Sequence, residues 1–265
     1  MASLLRGAGF ITGAASGIGK ATAFSFARHG VNQLALADIN LSAAETAARE
    51  IQTKFPDIEA IPLGLDVTNE NSIRDAVAET RGTFGRIDYA VNNAGIGGAH
   101  DLSADHALKE WKRTLDIDLN GVWMCSREEI KVMLQQEKSQ DSPRYNRGVI
   151  INVASMYGIV ATSLNTPVVS YTAAKHGVIG LTRADAVAYA PRGIRINAMC
   201  PGYVATPLVQ QVMGANVMQK EIDKVPVGRV ASMEEIAEHI AFLASPMSSY
   251  MYGAAMVADG GFTIQ

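Results

Sequence analysis

The sequence predicts an α/β protein in which about seven parallel strands form one sheet with helices on both faces. Short apolar runs alternate with longer amphipathic stretches along the whole chain of 265 residues, a pattern typical of strand–helix–strand units. The short runs are continuously hydrophobic, as expected for strands that are buried on both faces. No shift in composition and no internal repeat marks a second domain, so we expect residues 1–265 to form a single domain.

The elements follow in chain order from this alternation. The predicted strands are Gly9–Thr12, Gln33–Ala37, Ala60–Leu65, Ile87–Val91, Gly148–Val153, Ile194–Met199 and Ala255–Ala258. The predicted helices have apolar residues at helical spacing and are followed by a turn signal or a strand. They are Gly17–His29, Leu41–Phe55, Glu70–Phe84, Ala107–Gln136, Val168–Ala190 and Ser232–Ala244. Two stretches stay unassigned: polar Glu137–Arg147, expected as a surface loop, and Thr206–Val225, expected as a mobile apolar flap.

The composition excludes several classes of function. With 23 Lys and Arg against 26 Asp and Glu, a net charge of −3 gives no footprint for nucleic acid or an anionic membrane. Cys125 and Cys200 lie too far apart for a zinc motif, and the five histidines have no ligand spacing, so no metal is predicted. No secretion signal or long apolar run is present. We therefore expect a cytoplasmic protein with a small-molecule partner.

A glycine-rich turn follows the first predicted strand. It contains Gly13, Ser16, Gly17, Ile18 and Gly19 and leads directly into a helix. Glycines allow a tight turn and close approach of the backbone to a pyrophosphate, which the N–H groups of the helix N-terminus can bind. The turn therefore indicates a dinucleotide site, although taken alone it is also an ordinary strand-to-helix connection.

Asp38 ends the second predicted strand, about 20 residues after the turn, where a carboxylate can reach the adenosine ribose hydroxyls. This favours NAD(H), because a 2′-phosphate would face the carboxylate and the neighbours Ser16, Ile39 and Asn40 carry no positive charge. NADP(H) is the alternative cofactor. Asp38 can otherwise be a solvated loop acid or a helix cap.

Tyr171 and Lys175 are four residues apart in a helical pattern, so both side chains lie on one helix face. A phenol is a poor base at neutral pH, but a nearby ammonium and an oxidised nicotinamide both favour its phenolate. Ser155 follows the strand Gly148–Val153 and places a hydroxyl at the carboxyl edge of the sheet. As an alternative to a catalytic role, Tyr171 and Lys175 can lie on a solvated helix face. Ser155 can likewise be a helix cap or a turn serine.

Together these motifs resemble the short-chain dehydrogenase/reductase family from about Ala8 to Phe262. The further matching segments are Asp66-Val67, Asn92-Asn93-Ala94-Gly95, Tyr171-Thr172-Ala173-Ala174-Lys175, Pro201-Gly202 with Thr206, and Asp259-Gly260-Gly261. The resemblance implies a Rossmann-type doubly wound fold, with Tyr171 as general acid/base, Ser155 orienting the reacting oxygen, and Lys175 lowering the pKa of Tyr171 while binding the nicotinamide ribose.

The resemblance also implies where the cofactor lies. It places Asp66 and Val67 beside the adenine, Asn93 near a ribose, and Val204 and Thr206 at the nicotinamide carboxamide. The full set of expected cofactor-binding residues is Gly13, Ser16, Gly17, Ile18, Gly19, Asp38, Ile39, Asp66, Val67, Asn93, Ala94, Gly95, Tyr171, Lys175, Pro201, Gly202, Val204 and Thr206. The dinucleotide-binding half is then about 8–145 and the catalytic half about 146–265.

One position departs from the family pattern. The segment Ile117–Trp123 has Asp118 where the family has the asparagine that is its fourth catalytic residue. An anionic side chain there can pair with Lys175, and we expect Asp118 to accept the same water hydrogen bond, so that the proton relay is preserved. Asn120 is out of register and on the opposite side of the helix.

The substrate is expected to bind between three loops, Ile96–His100, Met156–Thr166 and Thr206–Val225. The third loop carries apolar residues that suggest an adaptable lid over a hydrophobic secondary alcohol or ketone such as a steroid, terpenoid, polyketide or alicyclic metabolite, or that simply pack in the core. They are Leu208, Val209, Val212, Met213, Val217 and Met218. His176 is expected to point away from the site.

The leading interpretation is an NAD-dependent oxidoreductase. An NADP(H)-dependent carbonyl reductase and a non-catalytic dinucleotide-binding module are the alternatives. The resemblance further implies a homotetramer built on the two long predicted helices at 107–136 and 168–190. In the second, a face of small residues allows close approach of a neighbouring subunit; it contains Ala173, Ala174, Gly177, Gly180 and Leu181.

Overall fold

The computed structural model describes residues 4–138, 142, 144, 146–207, 209 and 215–265. Within these residues seven strands form one sheet in the order β3-β2-β1-β4-β5-β6-β7, and every neighbouring pair is parallel. The strands are β1 (Ala8–Thr12), β2 (Gln33–Asp38), β3 (Glu59–Gly64), β4 (Tyr89–Asn92), β5 (Gly148–Val153), β6 (Ile194–Pro201) and β7 (Ala255–Ala258). The strand order reverses between β1 and β4, which confirms the predicted single-domain, doubly wound sheet.

The helices agree with the prediction except in two regions. They are α1 (Gly17–His29), α2 (Leu41–Lys54), α3 (Glu70–Phe84), α4 (Leu108–Leu115), α5 (Val122–Leu134), α6 (Val169–Tyr189), α7 (Ala215–Ile222) and α8 (Met233–Ala244). The single helix predicted over Ala107–Gln136 is interrupted by a π-helical turn, Asp116–Gly121, between α4 and α5. The unassigned stretch Thr206–Val225 contains α7.

Local signals in the sequence explain where several helices begin and end. Asn40 and Asn69 accept hydrogen bonds from first-turn N–H groups of α2 and α3. Ser232 forms a reciprocal capping box with Glu235 at α8. Gly30 closes α1 in the left-handed conformation, which glycine adopts without steric cost. In α1, α2, α3 and α8, a side chain or a glycine therefore satisfies terminal backbone groups at one end at least.

The core consists of two layers, one on each face of the sheet. Successive residues of β1 divide between them: Ile11 packs with α1 and α8, whereas Phe10 packs with α3 and α5. Because side chains alternate along a strand, a continuously apolar strand supplies both layers at once. This places the carboxyl ends of all seven strands along one edge, where the loops gather.

The small-residue face expected on α6 is partly used within the subunit. Ala174 is fully buried, and a Cβ at Gly177 would lie 2.9 Å from the Leu119 side chain, so both positions already pack inside the protein. Gly180 has no atom within 4 Å of its Cβ direction. The expectation of a free face at all five positions is therefore wrong for Ala174 and Gly177, because the π-helical turn and the sheet cover them.

Across the described ranges, no helix has the length and apolar character needed to cross a bilayer. Both cysteines are buried and unpaired.

Candidate active site

A cavity of about 480 Å³ runs along the carboxyl ends of the strands. All the predicted site residues line this cavity except Gly19, which lies against the Gly13 carbonyl inside the glycine turn. Ile96, Pro207 and Val209 belong to the loops that the sequence placed around the substrate. Sequence reasoning missed five other lining residues, which are Leu65, Arg113, Ile117, Val153 and Ala154. Most are the apolar neighbours of predicted residues, but Arg113 is a cation.

The glycine turn requires glycine for a different reason at each position. Gly13 and Gly17 have φ values of 64° and 55°, in the left-handed region that side chains rarely adopt. A Cβ on Gly13 would lie 2.9 Å from Ala94 Cα, and a Cβ on Gly19 would lie 2.2 Å from the Gly13 carbonyl oxygen. A Cβ on Gly17 would meet only Thr206, at 3.8 Å across the cavity. The turn is thus tightly packed at Gly13 and Gly19 and open toward the cavity at Gly17.

Asn93 supports this turn from β4. Its Nδ2 donates to the carbonyl oxygens of Thr12 and Gly13, both at 3.1 Å. In return the Thr12 Oγ1 accepts from the N–H groups of Asn93 at 3.0 Å and Ala94 at 3.1 Å. Asn93 therefore lines the cavity as predicted and also fixes the turn, a second role that the sequence did not reveal.

Asp38 lies at the opposite end of the cavity from the tyrosine and lysine. Its Oδ2 accepts from the Ala15 N–H and its Oδ1 from the Asn40 N–H, both at 3.0 Å. Its neighbour Ile39 is largely exposed. The carboxylate therefore holds the glycine turn against the end of β2 and still faces the cavity.

Arg113 changes the charge balance inferred from the neighbours of Asp38. It lies on α4, one turn before Ile117, and lines the same cavity. Its guanidinium makes one ion pair among the described residues, a 3.6 Å contact with Glu110. The residues adjacent to Asp38 are uncharged, as predicted, but the cavity contains a second cation besides Lys175. Arg113 and Ile117 share a helix face, and neither was expected at the site from the sequence.

Open space above the turn and the exposed start of α1 fit a dinucleotide. The N-terminus of α1 offers backbone N–H donors to a pyrophosphate, Asp38 offers an acceptor to ribose hydroxyls, and apolar Leu65, Val67 and Ile117 offer walls for a flat ring. Ser16 is extended and its side chain makes no cap hydrogen bond. The donor set and the shape therefore match the group that the sequence implied.

Tyr171, Lys175 and Ser155 meet at the other end of the cavity. Lys175 is 4% exposed, and its Nζ donates to the Val153 carbonyl at 3.1 Å and lies 5.3 Å from the centre of the Tyr171 ring. Ser155 caps a short 3-10 turn by accepting from the Tyr157 N–H, and it also hydrogen bonds with Tyr171. Ser155 is thus both the turn serine of the alternative interpretation and a partner of the tyrosine.

The net pKa of Tyr171 depends on its burial as well as on its neighbours. Burial raises the pKa of Tyr171, and the Lys175 ammonium and the Ser155 hydrogen bond, which lower it, do not compensate. The Asp118 carboxylate raises it further. Lys175 acts in the predicted direction, but the protein alone keeps the phenol protonated. Burial was the missing quantity, because it depends on packing that the sequence does not display.

Asp118 forms a buried ion pair with Lys175. It lies in the π-helical turn and is fully buried, with Oδ2 3.5 Å from Lys175 Nζ and Oδ1 accepting from the Ile96 N–H at 2.8 Å. Burial raises the pKa of Asp118 and Lys175 opposes this. Burial lowers the pKa of Lys175, but the Asp118 carboxylate and Tyr171 together outweigh it, so that this pKa lies above its usual value. Asn120 is exposed and donates to Asp116, outside the site as predicted.

The substrate end is described in part. Ile96, Pro207 and Val209 line the cavity, and Val217 is half-exposed on α7. Leu208, Val212 and Met213 lie outside the described residues, as does the side chain of Met218. His176 is exposed and its Nδ1 contacts the Thr172 carbonyl, away from the cavity as predicted. In the residues that the structure describes, no group of three His, Cys, Asp or Glu side chains is arranged to hold a metal.

Comparison with known proteins gives consistent matches along nearly the whole chain. A family model described as enoyl-(acyl carrier protein) reductase matches residues 13–263. A short-chain dehydrogenase, anuF, of Penicillium roqueforti is 40% identical over 100% of this chain and 99% of its own. Cyclohexanol dehydrogenase of an Acinetobacter species is 36% identical over 96% of this chain and 93% of its own. The crystal structure of levodione reductase superposes with a TM-score of 0.90 at 34% identity, covering 97% of this chain and 98% of that one.

Proposed function

The chain belongs to the short-chain dehydrogenase/reductase family and is an NAD(P)-dependent oxidoreductase, and from this premise we propose that it interconverts a hydrophobic secondary alcohol and its ketone with NAD(H). Tyr171 is the proposed general acid/base. The observation that carries the proposal is the meeting of Ser155, Tyr171 and Lys175 at one end of a cavity whose other end is the glycine turn and Asp38.

The cofactor would be held by residues of both halves of the chain. The glycine turn, Asp38, Asp66 and Val67 belong to the half at 8–145, and Lys175 and Thr206 to the half at 146–265. NAD(P), when bound there, supplies the hydride acceptor or donor. The protein has to align a path for the hydride and a path for the proton.

The side chains at the tyrosine end would perform the proton transfer. In ketone reduction, Tyr171 donates its phenolic proton to the carbonyl oxygen as the hydride reaches the carbon, while Ser155 hydrogen bonds to the same oxygen. In alcohol oxidation, the phenolate takes the hydroxyl proton as the C–H hydride departs. Lys175 stabilises the phenolate that forms, because its ammonium lies beside the ring and Asp118 keeps it charged.

The preference for NAD(H) rests on Asp38 and is opposed by Arg113. Side-by-side dissociation constants for NADH and NADPH, from nicotinamide fluorescence, test it. We expect NADH to bind at least tenfold more tightly, about 1.4 kcal/mol, and Asp38→Ala to reduce the difference. Arg113→Ala should leave NADH affinity within about threefold. Tighter NADPH binding that Arg113→Ala removes would overturn the preference and favour the carbonyl-reductase alternative.

The substrate class is supported by the apolar lining and by the relatives. Ile96, Pro207 and Val209 line the cavity, and one of the similar proteins is named for a cyclic alcohol, cyclohexanol. A panel of alicyclic alcohols with NAD⁺, and of the matching ketones with NADH, tests the proposal. Turnover of acyclic primary alcohols alone would contradict it.

The replacement of the family asparagine by Asp118 is the one observation that favours a non-catalytic dinucleotide-binding module. Tyr171→Phe separates the two functions, because it removes one hydroxyl and leaves the cofactor contacts in place. A catalyst should lose about three orders of magnitude in kcat with unchanged NADH affinity. Equal activity of Tyr171→Phe and the wild type would remove Tyr171 from the mechanism.

We further propose a cytoplasmic homotetramer. The two buried, unpaired cysteines support a reducing compartment, and exposed Gly180 on α6 supports close packing of a second subunit. Light scattering of the purified protein tests the assembly, and a monodisperse monomer would refute it.

A further inference from the structure

Glu221 is a buried carboxylate that the proposed chemistry does not use. It lies on α7, its side chain is fully buried, and four side chains donate to it. Lys224 Nζ and Ser163 Oγ donate to Oε1 at 2.7 and 2.8 Å, and Asn165 Nδ2 donates to the same oxygen at 3.1 Å. The Tyr203 hydroxyl donates to Oε2 at 2.9 Å. All four hydrogen bonds therefore depend on an acceptor at Glu221.

These partners come from three separate segments of the chain. Ser163 and Asn165 lie between Ser155 and Tyr171, Tyr203 follows β6, and Lys224 follows α7. One carboxylate thus joins α7 to the segment 156–168 and to the end of β6. The segment 156–168 begins directly after Ser155, and Pro201, Gly202 and Val204 at the end of β6 line the cavity.

The network continues toward Tyr171. The Tyr203 and Tyr157 hydroxyls are 2.6 Å apart, and Tyr157 also reaches Thr166 Oγ1 at 3.2 Å. The rings of Tyr157, Tyr203 and Phe262 pack edge to face, with centroids 5.8–6.4 Å apart. Tyr171 packs against this buried cluster. The Glu221 network therefore ends at the wall behind the proposed general acid.

We propose that Glu221 is a positioning residue that fixes the wall of the substrate end by tying α7, the segment 156–168 and β6 to one carboxylate. This proposal rests on the proposed function, because it concerns how the alcohol or ketone is bound. A buried donor left without its acceptor is costly, and removing one member of a buried charged network leaves the others uncompensated. Loss of Glu221 should therefore release α7 and the segment 156–168, while Tyr171 and Lys175 stay in place on α6.

The test is Glu221→Gln, which keeps the size of the side chain but replaces one acceptor oxygen by a donor. We expect KM for an alicyclic ketone to rise at least tenfold, kcat to stay within about threefold, and the NADH dissociation constant to stay within about twofold. In hydrogen exchange, the amides of residues 157–168 should exchange at least tenfold faster. A general loss of folded protein would lower kcat per total protein and leave KM unchanged.

Glu238→Gln is the matched control. Glu238 lies on α8 and also accepts from three side chains, Ser25, Arg28 and His29, but these join α8 to α1 away from the cavity. It should leave KM and exchange at 157–168 unchanged. If Glu221→Gln folds poorly, the double variant Ser163→Ala with Asn165→Ala removes two donors and keeps the carboxylate, and it should raise KM in the same direction.

The outcomes separate this proposal from the proposed function. Unchanged KM and unchanged exchange in Glu221→Gln, or an equal KM shift in Glu238→Gln, would overturn the role of Glu221. Faster exchange at 157–168 in Glu221→Gln, with no turnover of any alicyclic alcohol or ketone by the wild type, would keep the anchoring role and refute the proposed substrate class.

Discussion

Glu129 is a buried carboxyl group whose protonation should set how the stability of the protein depends on pH. It lies on α5, is fully buried, and its Oε2 accepts from Asn92 Nδ2 at 3.0 Å. The same Nδ2 also contacts Ser126 and Asn152. Glu129 Oε1 and Asn92 Oδ1 have no hydrogen-bond partner in the described residues. The cluster therefore has acceptors to spare and lacks a donor, a deficit that a proton on Glu129 would relieve.

The magnitude follows from the pKa of this carboxyl group. Burial raises the pKa of Glu129 from 4.5 to about 8, against the hydrogen bond from Asn92. Between those two values the folded protein holds a proton that the unfolded chain releases, so stability falls as the pH rises. At about 1.4 kcal/mol per pH unit, the free energy of unfolding loses about 3 kcal/mol by pH 7 and about 5 kcal/mol above pH 8. Below about pH 4.5 nothing is lost.

Glu129→Gln should remove this loss, because the amide is neutral at every pH and brings the missing donor. We expect the variant to match the wild type near pH 5 and to exceed its stability above neutrality, by roughly 5–10 °C in Tm at about pH 7. Urea unfolding at about pH 5.5 and about pH 8.5 measures the free energies. Glu128→Gln is the control: Glu128 pairs with Arg127 and Lys131, and its pKa is lowered, so its replacement should destabilise slightly at neutral pH.

Either of two results would show that Glu129 does not control this pH dependence. One is a wild-type free energy of unfolding that changes no more than that of Glu129→Gln across this pH range. The other is a Glu129→Gln variant that is less stable than the wild type at about pH 8.5.

Three further predictions concern the site and a helix cap. Asp118→Asn removes a charge that raises the pKa of Tyr171. The acid limb of the pH–rate profile for alcohol oxidation should therefore move to lower pH. A gain in turnover above about tenfold, 1.4 kcal/mol, would show instead that Asp118 impairs the proton relay in the wild type. Because the pKa of Tyr171 is raised, kcat/KM for oxidation should climb from neutral into alkaline pH, while reduction, which uses the protonated phenol, should stay constant there. Parallel fluorescence assays of NADH would contradict this if oxidation were as flat as reduction. Ser232→Ala breaks the capping box of α8 and should cost about 1 kcal/mol in urea unfolding with kcat unchanged, whereas a loss below about 0.3 kcal/mol would mean that water replaces the cap.

The fold was predictable because its signals are local and repeated. Each strand is an apolar run bounded by a turn, and several helices carry caps that the sequence displays. Some boundaries differ by one or two residues: β4 begins at Tyr89 rather than Ile87, next to Asp88, whose carboxylate accepts from the Ala8 N–H and from Arg86. The π-helical turn at Asp116–Gly121 was not predictable, since one extra residue per turn barely disturbs apolar spacing.

Site residues that belong to a sequence motif were predictable. Residues whose burial and partners depend on tertiary packing were not. The glycine turn, Asp38, Ser155, Tyr171 and Lys175 occur at fixed spacings that chemistry requires. Glu221 lies in a stretch without clear periodicity, and all but one of its partners are distant in sequence, so no local signal marks it as buried.

The hydrogen bonds between Asn93 and the glycine turn have a consequence for the order of folding. They join residues about 80 positions apart, so the turn acquires its final shape only after β4 has docked beside β1. Closing so long a loop is slow compared with forming a helix or a hairpin. A dinucleotide that recognises the finished turn therefore binds late and stabilises only the native chain. Saturating cofactor should slow unfolding and leave the early steps of refolding unchanged.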